Sequence, residues 1–190
     1  MKRLAHSIVL LSLVLTACGS SGTASTCAAY WFDTVGACLP DGWVSLDRVA
    51  LDERGAPEDV VVAFQMKDAV AGQFPTVTVT QEPLANPVTP ASYSDATIRS
   101  VSILPGYKLV DKKSTKIDDV SLSVHIFLAQ PVPGEPQRRF YQVSTTKEKT
   151  GYTVTATTPV SVPATLDADV IKILGSVTFV VPVTSSAPTK

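Results

Sequence analysis

Histidine is almost missing from this chain: His6 and His125 are the only two in 190 residues. A catalytic triad or a histidine-ligated metal site has very little to draw on. Cysteine occurs three times, at Cys18, Cys27 and Cys38. No G-x-x-x-x-G-K or G-x-G-x-x-G loop is present and no D-x-D-x-D-G spacing surrounds Asp118-Asp119, so nothing points to phosphate, dinucleotide or calcium chemistry. No cofactor and no metal is expected. No apolar run approaches the ~20 residues that a membrane-spanning helix needs. An excess of positive charge is also lacking, with 16 basic against 17 acidic residues. Without a positive field, nucleic acid is not an expected partner.

What is present begins with an address. Lys2 and Arg3 precede the short apolar stretch Ile8 to Leu15, and Leu15-Thr16-Ala17-Cys18 follows it. Charge, apolar length and small residues before a cysteine resemble the bacterial lipobox, in which the thiol receives a diacylglyceryl group before cleavage. The expectation is a signal peptide over 1–17, a lipid on Cys18, and a bacterial lipoprotein held at the outer face of a cell membrane. An ordinary secretory signal is the alternative. With Cys18 committed, Cys27 and Cys38 form an even pair in a compartment where disulfides persist, and a bridge between them is expected. Two separate thiols are the competing reading, and a metal site lacks further ligands nearby. Gly19 to Thr26 is small and polar, so 18–29 reads as a lipidated flexible tether. One domain is expected over 30–181, followed by a disordered tail over 182–190.

Within the domain, period-two alternation dominates. Val60, Val62, Phe64 and Met66 read as one strand face, and Val77 and Val79 alternate with Thr76, Thr78 and Thr80. Lys108 to Ile117 and Val120 to Gln130 flank Asp118-Asp119 as a hairpin. Arg138 to Lys147 and Tyr152 to Thr158 form a second, and the Pro- and Gly-rich segment Pro131 to Pro136 joins the two into a meander. Two helices are expected. One starts at Thr89-Pro90, with Tyr93, Ala96, Val101 and Leu104 on one side. The other covers about Ala164 to Leu174, with Leu166, Val170, Ile173 and Leu174 as its apolar stripe and Gly175 as its C′ residue. Ser176 to Val181 is expected to add a last strand.

The turn Leu39-Pro40-Asp41-Gly42-Trp43, the helix after the early strands, the long meander, and the closing helix followed by Ser176-Val177-Thr178-Phe179 together resemble the PsbP/DcrB-like superfamily. The resemblance covers roughly Tyr30 to Phe179. It implies an α+β fold, an antiparallel β-sheet flanked by two helices in an α/β sandwich. It implies no shared activity, because one fold hosts many functions.

Ser144-Thr145-Thr146-Lys147 matches S-x-x-K and Lys149-Thr150-Gly151 matches K-T-G. In penicillin-recognising enzymes these elements lie far apart in the chain, with the serine on a helix. Here one residue separates them, and Ser144 and Lys147 fall on opposite strand faces. His125 shares its face with Ser121, Ser123 and Phe127 and reads as a partly buried sheet histidine. Lys108, Lys112 and Lys116 read as one basic stripe with Lys113 opposite. Thr76, Thr78, Thr80, Ser121, Ser123, Thr153, Thr155 and Thr157, with His125 beside them, are the candidate binding face; a merely solvated face is the plainer alternative. The expected function is a lipid-anchored, non-enzymatic interaction or accessory module of the cell envelope, with an envelope protein or a glycan as partner. A small-molecule or glycan carrier with a cavity between sheet and helix is the competitor, and a hydrolase centred on His125 is a third reading.

Overall fold

The computed structural model describes residues 28–181. The expected signal peptide, Cys18 and Cys27 lie outside the described residues, as does the tail over 182–190. The chain opens with a two-stranded ribbon, β1 (Ala28–Phe32) and β2 (Val35–Leu39). β1 thus takes in Ala28 and Ala29, which the sequence suggests as tether. The Leu39 to Trp43 turn follows, with Gly42 at φ +84°, a value open to glycine and strained for other residues.

Seven strands form one antiparallel sheet: β3 (Trp43–Leu46), β4 (Val60–Met66), β5 (Thr76–Pro83), β6 (Lys108–Ile117), β7 (Val120–Ala129), β8 (Arg138–Lys147) and β9 (Thr150–Pro159). Their spatial order is β3-β4-β5-β9-β8-β7-β6. The meander is therefore as expected, and its last strand closes against β5. Asp118 and Asp119 both adopt positive φ, 47° and 66°, the requirement of a tight two-residue hairpin turn that glycine ordinarily meets.

Among the described residues there are three helices rather than two: α1 (Arg48–Glu53), α2 (Pro90–Val101) and α3 (Ala164–Ser176). α1 is too short to show a periodic stripe. α2 starts where Thr89-Pro90 places it, with the Thr89 hydroxyl accepting the Ser92 amide at 3.2 Å. α3 buries Leu166, Val170, Ile173 and Leu174, the expected stripe. Gly175, however, lies inside α3 rather than ending it.

The helices take opposite faces of the sheet. α3 packs over β6 and β9 and against the β1–β2 ribbon, and beneath it Val77, Val79, Val124, Ile126, Tyr141, Val143, Val154 and Ala156 make the main core. α2 lies on the other face, over β8 and β7. Two bulges correct the expected faces. A shift between Val60 and Val62 sends Val60 to a small cluster with Leu51 and Ala63, while Val62 and Phe64 enter the main core. The expected last strand does not form: Thr178 makes a single bridge to Gly36, with hydrogen bonds of 2.8 and 2.9 Å, outside the large sheet.

Candidate functional site

The hydroxyl residues of β5 and β9 meet as a ladder. Thr76, Thr78 and Thr80 stand opposite Thr157, Thr155 and Thr153, and the Thr78 and Thr80 hydroxyls reach the carbonyls of Thr155 and Thr153 at 3.4 and 3.3 Å. Next comes β8, which places Phe140, Gln142 and Ser144 opposite Thr157, Thr155 and Thr153. Then β7 sets His125 opposite Gln142, and there the pairing of β7 with β8 stops. Ser121 and Ser123 lie beyond that point. The structure thus brings together six of the eight expected hydroxyls and leaves Ser121 and Ser123 apart, with β8 between.

α2 roofs the middle of this face. Of the four side chains expected to seat it, Tyr93 alone is buried and Ala96 is exposed; Thr97, one turn after Tyr93, makes the second contact. The Tyr93 hydroxyl lies 3.4 Å from the Thr153 hydroxyl, Thr97 lies 2.9 Å from Ser144, and Ser144 lies 3.1 Å from Thr153. This chain of hydroxyls pins helix to sheet. A Cβ on Gly151 would stand 2.4 Å from the Tyr93 ring, so glycine is required where the ring lies on β9. The K-T-G resemblance therefore has a packing role here, and Ser144 is part of the hydroxyl chain rather than a helix-borne nucleophile. Burial pushes the Tyr93 phenol up to about 12, with Glu82 adding to the shift and Thr153 opposing it.

On either side of α2 a cleft remains. The wider, about 640 Å³, lies over β6 and β7 and is lined by Ser94, Asp95, Lys112, Lys116, Ser121 and Ser123 among others. Its basic edge carries two of the three lysines expected there. The register slips by one residue between Leu109 and Asp111, so Lys108, opposite Leu128, turns to the α3 face while Lys112, opposite His125, stays on the α2 face. The narrower cleft, about 250 Å³, lies against β5, β8 and β9 and is lined by Asp59, Thr80, Glu82, Tyr93, Gln142 and Thr153 among others. Its rim is acidic.

His125 is 2% exposed and lines neither cleft. Its Nε2 lies 2.8 Å from the Tyr107 hydroxyl, its only hydrogen-bond partner among the described residues, and Phe127 flanks the ring. Burial, and then Lys112, hold its pKa below the ordinary histidine value, which keeps the imidazole neutral. Nδ1 is buried without a partner. Across the strand pair, Gln142 is 8% exposed and its Oε1 is likewise unpartnered. Gln142, Tyr93, Thr97, Asp59 and Glu82 are the site residues that sequence reasoning misses. Gln142 alternates with Ser144 on the polar side of β8, which marks its face but not its burial under a helix. Cys38 lies on β2.

No family model matches the chain, and no curated protein matches it significantly. Solved structures do match. The solution structure of cyanobacterial PsbP (CyanoP) from Synechocystis sp. PCC 6803 superposes with a TM-score of 0.52 at 16% identity, over 86% of this chain and 97% of that one. LpqN of Mycobacterium tuberculosis, described as involved in cell envelope biogenesis, superposes with a TM-score of 0.57 at 13% identity, over 82% of this chain and 86% of that one. With its antiparallel sheet, its helices on both faces and these two superpositions, the chain has the PsbP-like α+β fold expected from its sequence.

Proposed function

We propose that this protein is a lipid-anchored, extracytoplasmic accessory module of the bacterial cell envelope, without enzymatic activity. The observation that carries this reading is the lipobox-like run Leu15-Thr16-Ala17-Cys18 in front of a PsbP-like domain. LpqN, which shares the fold, supports the envelope setting by its description. No helix among the described residues is long and apolar enough to cross a membrane, which leaves attachment to the lipid on Cys18. The same compartment favours a Cys27–Cys38 bridge, and the assignment of Cys38 as a disulfide-bonded cysteine is consistent with it. The hydrolase reading draws no support from His125, whose hydrogen bonding ends at Tyr107. Cells expressing wild type and Cys18→Ala provide the test. Wild type should stay in the membrane fraction through a high-salt wash and carry a diacylglyceryl mass on its N-terminal peptide, while the variant is lost from it. Release of wild type by salt alone, or an unmodified N-terminal peptide, would refute the anchor.

A further inference from the structure

Trp31 and Phe32 stand next to each other at the tip of the β1–β2 ribbon, 39% and 46% exposed, and the alternation of the strand sends them to opposite sides of it. Trp31 is set in place by packing. It pairs with Gly36 across the ribbon, and a Cβ at Gly36 would stand 2.6 Å from its six-membered ring and 2.8 Å from the Thr178 methyl group. Glycine thus lets one edge of the indole rest over β2, beside the segment that follows α3, while the remainder faces outward. Val180 and Val181, just past Thr178 in that segment, are exposed as well. The ribbon (28–39) and the segment 177–181 together hold a single charged side chain, Asp33 in the ribbon turn. The charges nearest the segment are engaged: the Asp118 carboxylate accepts from Thr178 and Phe179, and the Lys147 ammonium donates to the Phe179 carbonyl. On the other side, a small cleft beside Phe32 adds Arg48 and Glu58, one charge of each sign. Neighbouring apolar side chains inside such a polar rim mark a surface that meets a protein or a membrane.

The length of chain before β1 decides between the two. Ala28, the first residue of β1, stands ten positions after Cys18, and even a fully extended chain of that length spans at most about 36 Å. With a lipid on Cys18, the ribbon is therefore the first described element beyond the bilayer and stays close to it. A tether this short makes docking an intramolecular event, so a contact too weak to recruit a free domain is occupied once the domain is anchored. The side chains suit that partner: an indole sits at headgroup level with its N–H toward water and its rings toward the acyl chains, and needs no basic patch to do so. We propose that the ribbon tip, Trp31 and Phe32 with Val180 and Val181 beside them, seats in the headgroup region of the membrane that holds the lipid anchor. The domain is then held at two points rather than swivelling on one. The inference rests on the anchor reading only for the nearness of the bilayer.

The chain has two tryptophans, and the other, Trp43, is 5% exposed, so fluorescence reads the tip directly. Residues 18–190 carrying Cys18→Ala and an N-terminal hexahistidine tag would be tethered to phosphatidylcholine vesicles that contain a nickel-chelating lipid, with either ordinary or brominated acyl chains. Because the tag stands in for the lipid, the result does not depend on whether Cys18 is acylated; that reading stands or fails separately, on the membrane fractionation of cells. Bromine quenches only an indole in contact with lipid, and it should lower the Trp31 share of the emission about twofold. The quenching should persist at high salt, because the contact is apolar. Trp31→Phe should abolish it, leaving Trp43 unquenched in the core. Phe32→Ser, an exposed change, should weaken it about twofold with the far-UV circular dichroism unchanged. Equal emission on the two kinds of vesicle, with the protein still tethered, overturns the proposal, as does quenching that survives in Trp31→Phe. A blue shift of the emission that grows with protein concentration in the absence of vesicles would give the patch to a second copy of the chain, and would overturn it too.

Discussion

Gly151 shows how one residue decides whether a helix can sit on this sheet. Tyr93 reaches down from α2 onto β9, and the space a Cβ would need at position 151 is already occupied by the phenol ring. Because the ring is also tied to Thr153, swinging aside would break that buried hydrogen bond. Gly151→Ala is therefore expected to cost about 2 to 3 kcal/mol, the upper part of the range for overpacking a filled site. The cause can be isolated by repeating the change in a Tyr93→Ala background, where it should cost less than about 1 kcal/mol. Urea unfolding of the four proteins gives the answer; an equal cost in both backgrounds would mean that β9 itself, and not the contact with Tyr93, demands glycine. The same scale explains His125. It is buried, neutral and bonded to a tyrosine, which fits a histidine that fills the sheet rather than one that moves protons.

At the scale of elements, the hairpin turn between β6 and β7 does more than reverse the chain. The Asp118 carboxylate accepts the Phe179 amide at 2.8 Å and the Thr178 hydroxyl, fastening the segment after α3 to the far end of the sheet. Phe179 is then held against Tyr152, with ring centroids 4.1 Å apart. This separates two reasons for an aspartate at that place. Asp118→Gly removes the positive-φ strain but also the clamp, and it should lose about 1 to 2 kcal/mol in thermal or urea unfolding; a gain in stability would show that turn strain outweighs the clamp. The turn and both hairpins are legible in the sequence because alternation and turn residues are local signals. So are the Thr89-Pro90 start of α2 and the apolar stripe of α3. The bulges at Val60/Val62 and Leu109/Asp111 are not, since a one-residue slip leaves composition unchanged yet reverses every face beyond it, which is why Val60 and Lys108 turn away from their expected sides. The threonine ladder was legible for the same reason as the strands. Gln142 was not, because its burial depends on a helix that arrives from fifty residues earlier in the chain, roughly the distance between α2 and β8 in sequence.

Across the whole molecule, Asp167 is where the α3 layer is locked to the sheet. Its carboxylate accepts from Lys113 of β6 and from the Tyr141 hydroxyl of β8, each at 2.8 Å, and Arg139 stands 3.9 Å away. One side chain of α3 thus joins two strands that are neighbours of β7 on opposite sides. Burial pushes the Asp167 pKa upward, but the hydrogen bonds from Lys113 and Tyr141 and the charges of Lys113 and Arg139 outweigh it and hold the carboxyl below its ordinary value. The folded state therefore binds this proton less readily than the unfolded state. The resulting stabilisation is complete above the ordinary aspartate value of about 3.9 and is lost as pH falls from there through the lower folded value. Asp167→Asn keeps the size and one acceptor but cannot ionise, so it should be less stable than wild type by about 1 to 2 kcal/mol at pH 7. That difference should hold down to about pH 5 and shrink steadily below pH 4, because acid removes from the wild type what the substitution has already removed. Urea unfolding of both proteins at pH 7, 5, 4 and 3 measures it. A difference that stays constant down to pH 3 would show that packing, and not the charge of Asp167, is what α3 gains from this contact.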